Sequence, residues 1–148
     1  MHILISVFYC LIIIQPSEDK IRSFEFNNSK VRTTYGVEDR FYGKYRGAKN
    51  GFLILKEDGT GQYLYDVFGF APDHCKKDTI DFEWGFIIDE NDQLVNFERE
   101  YGLSYPIIYR STGNTSWQGC TKKIFLDYLL VYKTGEITVS SSDDWIHL

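Results

Sequence analysis

The sequence predicts an all-β domain: an antiparallel meander barrel of about eight strands, with a two-sheet sandwich as the alternative arrangement. Three observations carry this. The chain holds 11 Tyr, 11 Phe and 3 Trp, whereas alanine occurs only at Ala48 and Ala71. Aromatic side chains suit a pleated, half-buried surface, and alanine suits a helix. Ile80, Phe82, Trp84, Phe86 and Ile88 alternate with Asp81, Glu83 and Gly85, a period of two that helical spacing would scatter. Turn signals recur at Asn50-Gly51, Asp58-Gly59 and Thr134-Gly135, and the positive φ of such pairs is what a tight hairpin needs.

The first element is an apolar run over residues 3–14. Twelve residues rise about 18 Å as a helix, short of the roughly 30 Å hydrocarbon core. Residues 1–16 are therefore expected to be a signal peptide rather than a membrane span, with a buried strand as the alternative. Lipidation at Cys10 is disfavoured because Phe8-Tyr9 precede it, where a lipobox has small residues. Residues 17–40 are polar and are expected to be irregular. Phe24 and Phe26 hint at a short strand, and residues 37–42 at a helical turn before the barrel.

The barrel domain is expected to occupy residues 41–148. Strands are predicted at 43–48, 52–57 and 62–68, then at 80–88, the clearest of them. The acidic turn Asp89-Glu90-Asn91-Asp92 leads into a strand at 93–99. An EF-hand loop would want glycine at its sixth position, and Leu94 stands there, so a plain turn is expected. A further strand is predicted at 105–109, beginning just before Pro106 because proline belongs at strand starts and edges. Residues 110–121 form the longest irregular connection. In the strand at 123–133, Ile124, Leu126, Tyr128, Leu130 and Tyr132 share one face, and Phe125, Asp127, Leu129 and Val131 the other. A last strand is predicted at 136–140, and the tail 141–148 shows no pattern.

Two short motifs add a resemblance. Gly43-Lys44-Tyr45 stands where lipocalin-like (calycin) barrels have Gly-x-Trp opening the first strand. Leu126-Asp127-Tyr128 is similar to the family's later Thr-Asp-Tyr. On these residues and the strand count, residues 41–140 resemble that family, with Tyr45 in place of the Trp and Leu126 in place of the Thr. Residues Leu53 to Tyr63 also resemble a Leu-x-Leu-x-x-Asp-Gly-Thr-Gly-x-Tyr hairpin of small bacterial exported proteins with no assigned activity. The lipocalin likeness implies a barrel interior suited to a small ligand.

The chemistry is sparse. A formal charge of −5, with no basic run longer than Lys76-Lys77 or Lys122-Lys123, argues against a nucleic-acid partner. Gly59-Thr60-Gly61 lies in a hairpin, so it makes no phosphate loop. His74 and Cys75 lack nearby ligand partners, and neither a metal nor another cofactor is expected. Among the carboxylates, Asp81 and Glu83 are expected to face water. Asp127 shares a face with Phe125, Leu129 and Val131 and is expected either partly buried and hydrogen-bonded, or exposed or structurally paired.

The leading functional expectation is an exported non-enzymatic protein, periplasmic, secreted or membrane-associated, that binds a small apolar or amphipathic ligand. Tyr63, Tyr65, Phe82, Trp84, Phe86 and Tyr128 are its candidate lining, with a simply filled core as the plainer account of the same residues. The alternative is a protein-interaction domain of inhibitor or immunity type, using the aromatic stretch 101–118. A hydrolase built on paired carboxylates ranks third.

Removal of the signal near Ser17 leaves two cysteines, Cys75 and Cys120, which are expected to form a disulfide in an oxidising compartment. Closing that loop of about 46 residues contributes at most roughly 4 kcal/mol; two free thiols are the other possibility. Alkylation under denaturing, non-reducing conditions is expected to leave both cysteines unmodified by mass, and two labelled thiols would remove the bridge from consideration.

Overall fold

The structure, a computed structural model, describes residues 17–46, 52–64, 79–112, 124–139 and 145–147. Among these are eleven strands: β1 (Ile21–Phe26), β2 (Ser29–Thr34), β3 (Gly43–Arg46), β4 (Phe52–Leu55), β5 (Thr60–Leu64), β6 (Thr79–Ile87), β7 (Phe97–Arg99), β8 (Gly102–Ser111), β9 (Ile124–Tyr132), β10 (Ile137–Val139) and β11 (Trp145–His147). The fold is all-β and antiparallel, as the aromatic content and alternation require. Pairing runs β3-β4-β5-β6, then β6-β8-β9-β10, then β10-β11-β3. Eight strands thus form a ring in which each pairs with two neighbours, the arrangement that removes open sheet edges.

The inward face is the apolar one. Phe82, Trp84 and Phe86 of β6 join Tyr45, Leu53, Leu55, Tyr105, Ile107, Tyr109, Leu129, Val131, Ile137 and Val139 in one buried cluster. Space for Phe82 comes from its register partner Gly61. A β-carbon there would lie 2.3 Å from the Phe82 ring and 2.5 Å from the Ile54 carbonyl oxygen. The Asp58-Gly59 turn forms as expected: the Gly59 amide donates to the Lys56 carbonyl at 3.1 Å, and the Thr60 amide donates to Asp58 Oδ1 at 2.9 Å.

The strands differ from the sequence expectation at four places. Residues 17–40, expected to be irregular, contain the β1–β2 hairpin. Its turn is Asn27-Asn28, with φ of 50° and 61°, the paired left-handed conformations of a tight two-residue hairpin. Strand β8 is ten residues long, and Pro106 falls within it rather than near its start. The edge of β8 pairs with β7 up to Ser104 and with β6 from Ile107. Pro106 therefore occupies the gap between two partners on that edge, where a proline disturbs least. The tail supplies β11, which pairs with β10 and β3 and closes the ring. In the other direction, the strand expected at 93–99 is paired as a strand only over β7, with Leu94 bridging Ile88.

The hairpin continues the sheet beyond β5. Thr33 and Thr34 pair with Ile87 and Phe86, and the hairpin curls over the outer face of β6. A β-carbon on Gly85 would meet Thr33 Oγ1 at 2.4 Å and come within 3.5 Å of the Phe24 ring. Phe24 and Thr33 are both fully buried. Polar contacts frame this outer core. Glu83 is ion-paired with Arg110 and lies 3.9 Å from Arg22. The Arg110 guanidinium sits 5.0 Å from the Phe24 ring centre, and Arg22 donates to the Gly59 carbonyl at 3.0 Å.

Apolar burial outweighs the ion pairs in holding the hairpin down. Phe24→Ala is expected to cost about 3–5 kcal/mol in urea unfolding. Glu83→Gln is expected to cost about 1 kcal/mol or less, because its partners are partly solvated. The reverse ranking would show that charge, not packing, fixes the hairpin.

Candidate functional site

The barrel interior is chemically graded. One end is aromatic and plugged. The short 3-10 turn Asp39–Phe41 precedes β3 and buries Phe41, whose ring lies 5.4 Å from Phe86 and 5.6 Å from Tyr105. The Tyr45 hydroxyl donates to the Phe41 carbonyl at 2.8 Å, tying this plug to the first barrel strand. Trp84 packs edge-on to Phe86 at 5.7 Å, and its indole N–H donates to the Thr60 carbonyl at 2.8 Å. Phe82 meets Tyr109 edge-on at 5.2 Å. Such tilted and edge-on pairs are the favoured aromatic geometry.

Towards the other end the interior becomes polar. By register, Leu64, Thr79, Arg110 and Ile124 lie at this same end. Asp127 stands three residues in from the start of β9, opposite Ile107. It shares the inward parity of Leu129 and Val131 and is 8% exposed. Its Oδ1 accepts the Tyr128 amide at 2.8 Å. Among the described residues no Lys or Arg pairs with it; the described ion pairs lie elsewhere. Burial pushes the Asp127 carboxyl up to about 7, against a smaller lowering by the Tyr128 amide. Tyr109 is fully buried beside it. Burial drives the Tyr109 hydroxyl well above its ordinary range, and Asp127, Tyr45 and Tyr63 raise it further. Burial also raises the Tyr45 hydroxyl. Tyr109 thus feels the Asp127 carboxyl, Tyr63 and Tyr45, the last with its hydroxyl held to the Phe41 carbonyl at the plugged end, and Tyr63 is only half-buried against the core.

The expected lining residues separate on this frame. Phe82, Trp84 and Phe86 are inward, buried and packed on one another. Tyr63 reaches the polar end. Tyr128 does not join them: it has the opposite parity to Asp127 on β9, and its ring meets Phe97 of β7 at 6.4 Å. Tyr65, Cys75, His74 and Cys120 lie outside the described residues. Of the other carboxylates, Asp81 is exposed and accepts from Gln62 Nε2 at 2.9 Å, and Glu83 serves the hairpin. The carboxylate of Asp89 is taken up by its own turn, accepting the amides of Asn91 and Gln93 at 2.9 Å each. The site's core members are therefore Asp127, Tyr109 and Tyr63, with Tyr45 acting on Tyr109 from the plugged end. The inward parity of Asp127 was visible in the sequence; its meeting with Tyr109 depends on the β8–β9 register.

No family model and no solved structure matches the chain. It is similar to the tRNA (guanine-N(7)-)-methyltransferase of Oceanobacillus iheyensis, 31% identical over 85 residues, or 56% of this chain. The matched stretch spans 38% of that protein's length.

The raised carboxyl makes stability depend on pH. The folded state holds a proton on Asp127 that the unfolded chain releases from about pH 4 upward. Its contribution is complete below that pH and is lost as pH rises through about 7. The full change is on the order of 4 kcal/mol. Asp127→Asn is expected to gain stability relative to wild type as pH is raised from 4 to 8, read as the difference between their urea midpoints. A constant difference across that range would mean that the carboxyl titrates normally.

Proposed function

We propose that the protein is an exported, lipocalin-like binding protein for a small amphipathic ligand. The observation that carries this reading is the inward, buried Asp127 carboxyl with its tyrosine neighbours inside a ring of strands. A barrel that needed only to fill its interior would be more stable with an apolar residue there, because burying a carboxyl costs desolvation that one amide hydrogen bond offsets only in part. Perturbed carboxyls in such settings are candidate functional groups. The half-buried Tyr63 and the residual exposure of Asp127 support access from the polar end, and the plugged aromatic end supplies the apolar wall. Its polar neighbours here are phenols, which favours binding over hydrolysis. The apolar run at 3–14 supports export.

A protein-interaction role is the second reading, and a separate surface favours it. Phe97, Tyr101 and Leu103 are 44%, 48% and 37% exposed. They cluster around β7, which ends the sheet.

Native mass spectrometry of protein taken from its own cells tests both. Under the ligand reading, a small-molecule adduct is expected that disappears on denaturation and is depleted in Asp127→Leu. Co-purification of a protein that is lost in a Phe97→Glu, Tyr101→Glu double variant would favour the second reading. Bare protein whose tryptophan fluorescence no amphiphile perturbs would overturn the first.

A further inference from the structure

Strand β1 has a neighbouring strand on one side only. We infer that its open edge docks an extended segment of a partner protein, with apolar residues at alternate positions and a basic residue beside Glu25; neither the barrel interior nor the Phe97 surface enters into this. β1 stands at one end of the sheet order and pairs only with β2, in an unbroken register from Ile21 opposite Thr34 to Phe26 opposite Ser29. The Tyr35 amide donates to the Lys20 carbonyl. In an antiparallel ladder the even-numbered residues of β1 therefore bond to β2, and the odd-numbered ones face away. Of these, the Ile21 amide is taken by the Glu18 carbonyl. Among the described residues nothing pairs with the Ile21 carbonyl, or with the amides and carbonyls of Ser23 and Glu25. Neither Ser23 nor Glu25 is buried. Sheet edges are commonly blunted by shortness, proline, lysine or a bulge. β7, at the other end of the sheet, is three residues long. β1 has six residues and none of these devices, and its inward charge, Arg22, is already engaged by the Gly59 carbonyl.

The open edge also looks onto an apolar surface. β2 takes the edge of β6 that β5 uses, and β8 holds the other. β1 lies one strand further over, with Phe24 beside Gly85 and its ring 5.0 Å from the Arg110 guanidinium of β8. The edge therefore faces the outer side of β8 and β9. There Ile124, Leu126 and Tyr128 recur at every second residue of β9 and are only half-buried, and no described strand lies over them. A strand added to β1 at the ladder spacing of about 4.8 Å would run above β8. Its inward side chains would meet this apolar face, and its outward ones would stand in water beside Ser23 and Glu25. Glu25 is exposed and forms no ion pair among the described residues, so a basic residue opposite it is favoured. A second copy of the chain cannot supply its own β1. Each β1 rests on its own barrel, and joining the two edges would set both barrels in the same space. A linear segment meets no such obstacle, and edge pairing with alternate side chains buried is an established mode of peptide recognition.

Two short capped peptides of one composition test the edge. In the first, valine alternates with threonine and lysine; in the second, the valines form one block. Binding to the full chain is read by fluorescence polarisation, and backbone amide exchange is followed in the wild-type protein. The alternating peptide is expected to bind at least about tenfold more tightly than the blocked one. The Ser23 and Glu25 amides are expected to exchange freely in the protein alone and to slow at least about tenfold with that peptide at saturation. Ser23→Pro removes an amide that the hairpin does not use, at a position where an edge strand tolerates proline. It is expected to keep the wild-type urea midpoint and to lose at least about tenfold in peptide affinity. Leu126→Glu is expected to lose about as much by spoiling the apolar face. The exchange measurement decides the matter even if a variant fails to fold. Ser23 and Glu25 amides already protected in the protein alone would overturn the proposal, because the chain would then fill its own edge. Equal binding of the two peptides, binding indifferent to either variant, or no binding would overturn it as well. Each of these results leaves the ligand-binding reading and the Phe97 surface standing.

Discussion

Strand β6 organises the molecule because both of its edges are used twice. One edge pairs with β5 over Thr79 to Glu83 and then passes to β2 at Phe86 and Ile87. The other pairs with β8 over Phe82 to Phe86, beyond which the Ile87 carbonyl accepts the Val95 amide. A strand loaded in this way must be apolar inward and compact outward. The sequence meets both needs with Phe82, Trp84 and Phe86 on one face and Gly85 at the point where the hairpin presses closest. The barrel and the hairpin are two cores separated by one strand's thickness.

The inner core follows from that strand. Its rings engage Phe41, Tyr105 and Tyr109 in tilted and edge-on contacts, so the aromatic end is set by packing. Polarity enters only where β8 and β9 bring Tyr109 and Asp127 together. Lining and filling are thus not exclusive descriptions of the interior. Phe82, Trp84 and Phe86 fill it, and the polar groups beside Tyr63 give it a chemical direction.

Much of the fold could be read from residue order, and its limits are instructive. β6 and β9 announced themselves because one face of each is in the core, so burial imposes a period of two. β2 did not, because its buried positions are Thr33 and Thr34, which look like solvent-facing residues until Phe24 and Gly85 are seen beside them. β11 is three residues long, too short to show any period. At the site, parity along β9 sufficed to turn Asp127 inward. The part played by Tyr45 and Tyr109 required pairing register across strands far apart in sequence, which no local pattern contains. Tyr128 was attractive for its aromaticity, yet it has the parity of Leu126 and Leu130, away from Asp127.

The β3–β11 contact also has a kinetic meaning. Gly43–Arg46 and Trp145–His147 lie about a hundred residues apart and meet only when the ring closes. Contacts of such separation demand large loop-closure entropy before they repay it, which places the fold among the slower-forming topologies. Until Trp145 to His147 have arrived, β3 and β10 keep bare hydrogen-bonding edges, the feature that invites pairing with a neighbouring chain. Residues 145–147 are thus the ones that turn an adhesive ribbon into a self-contained barrel, and deleting them would act first on aggregation during folding.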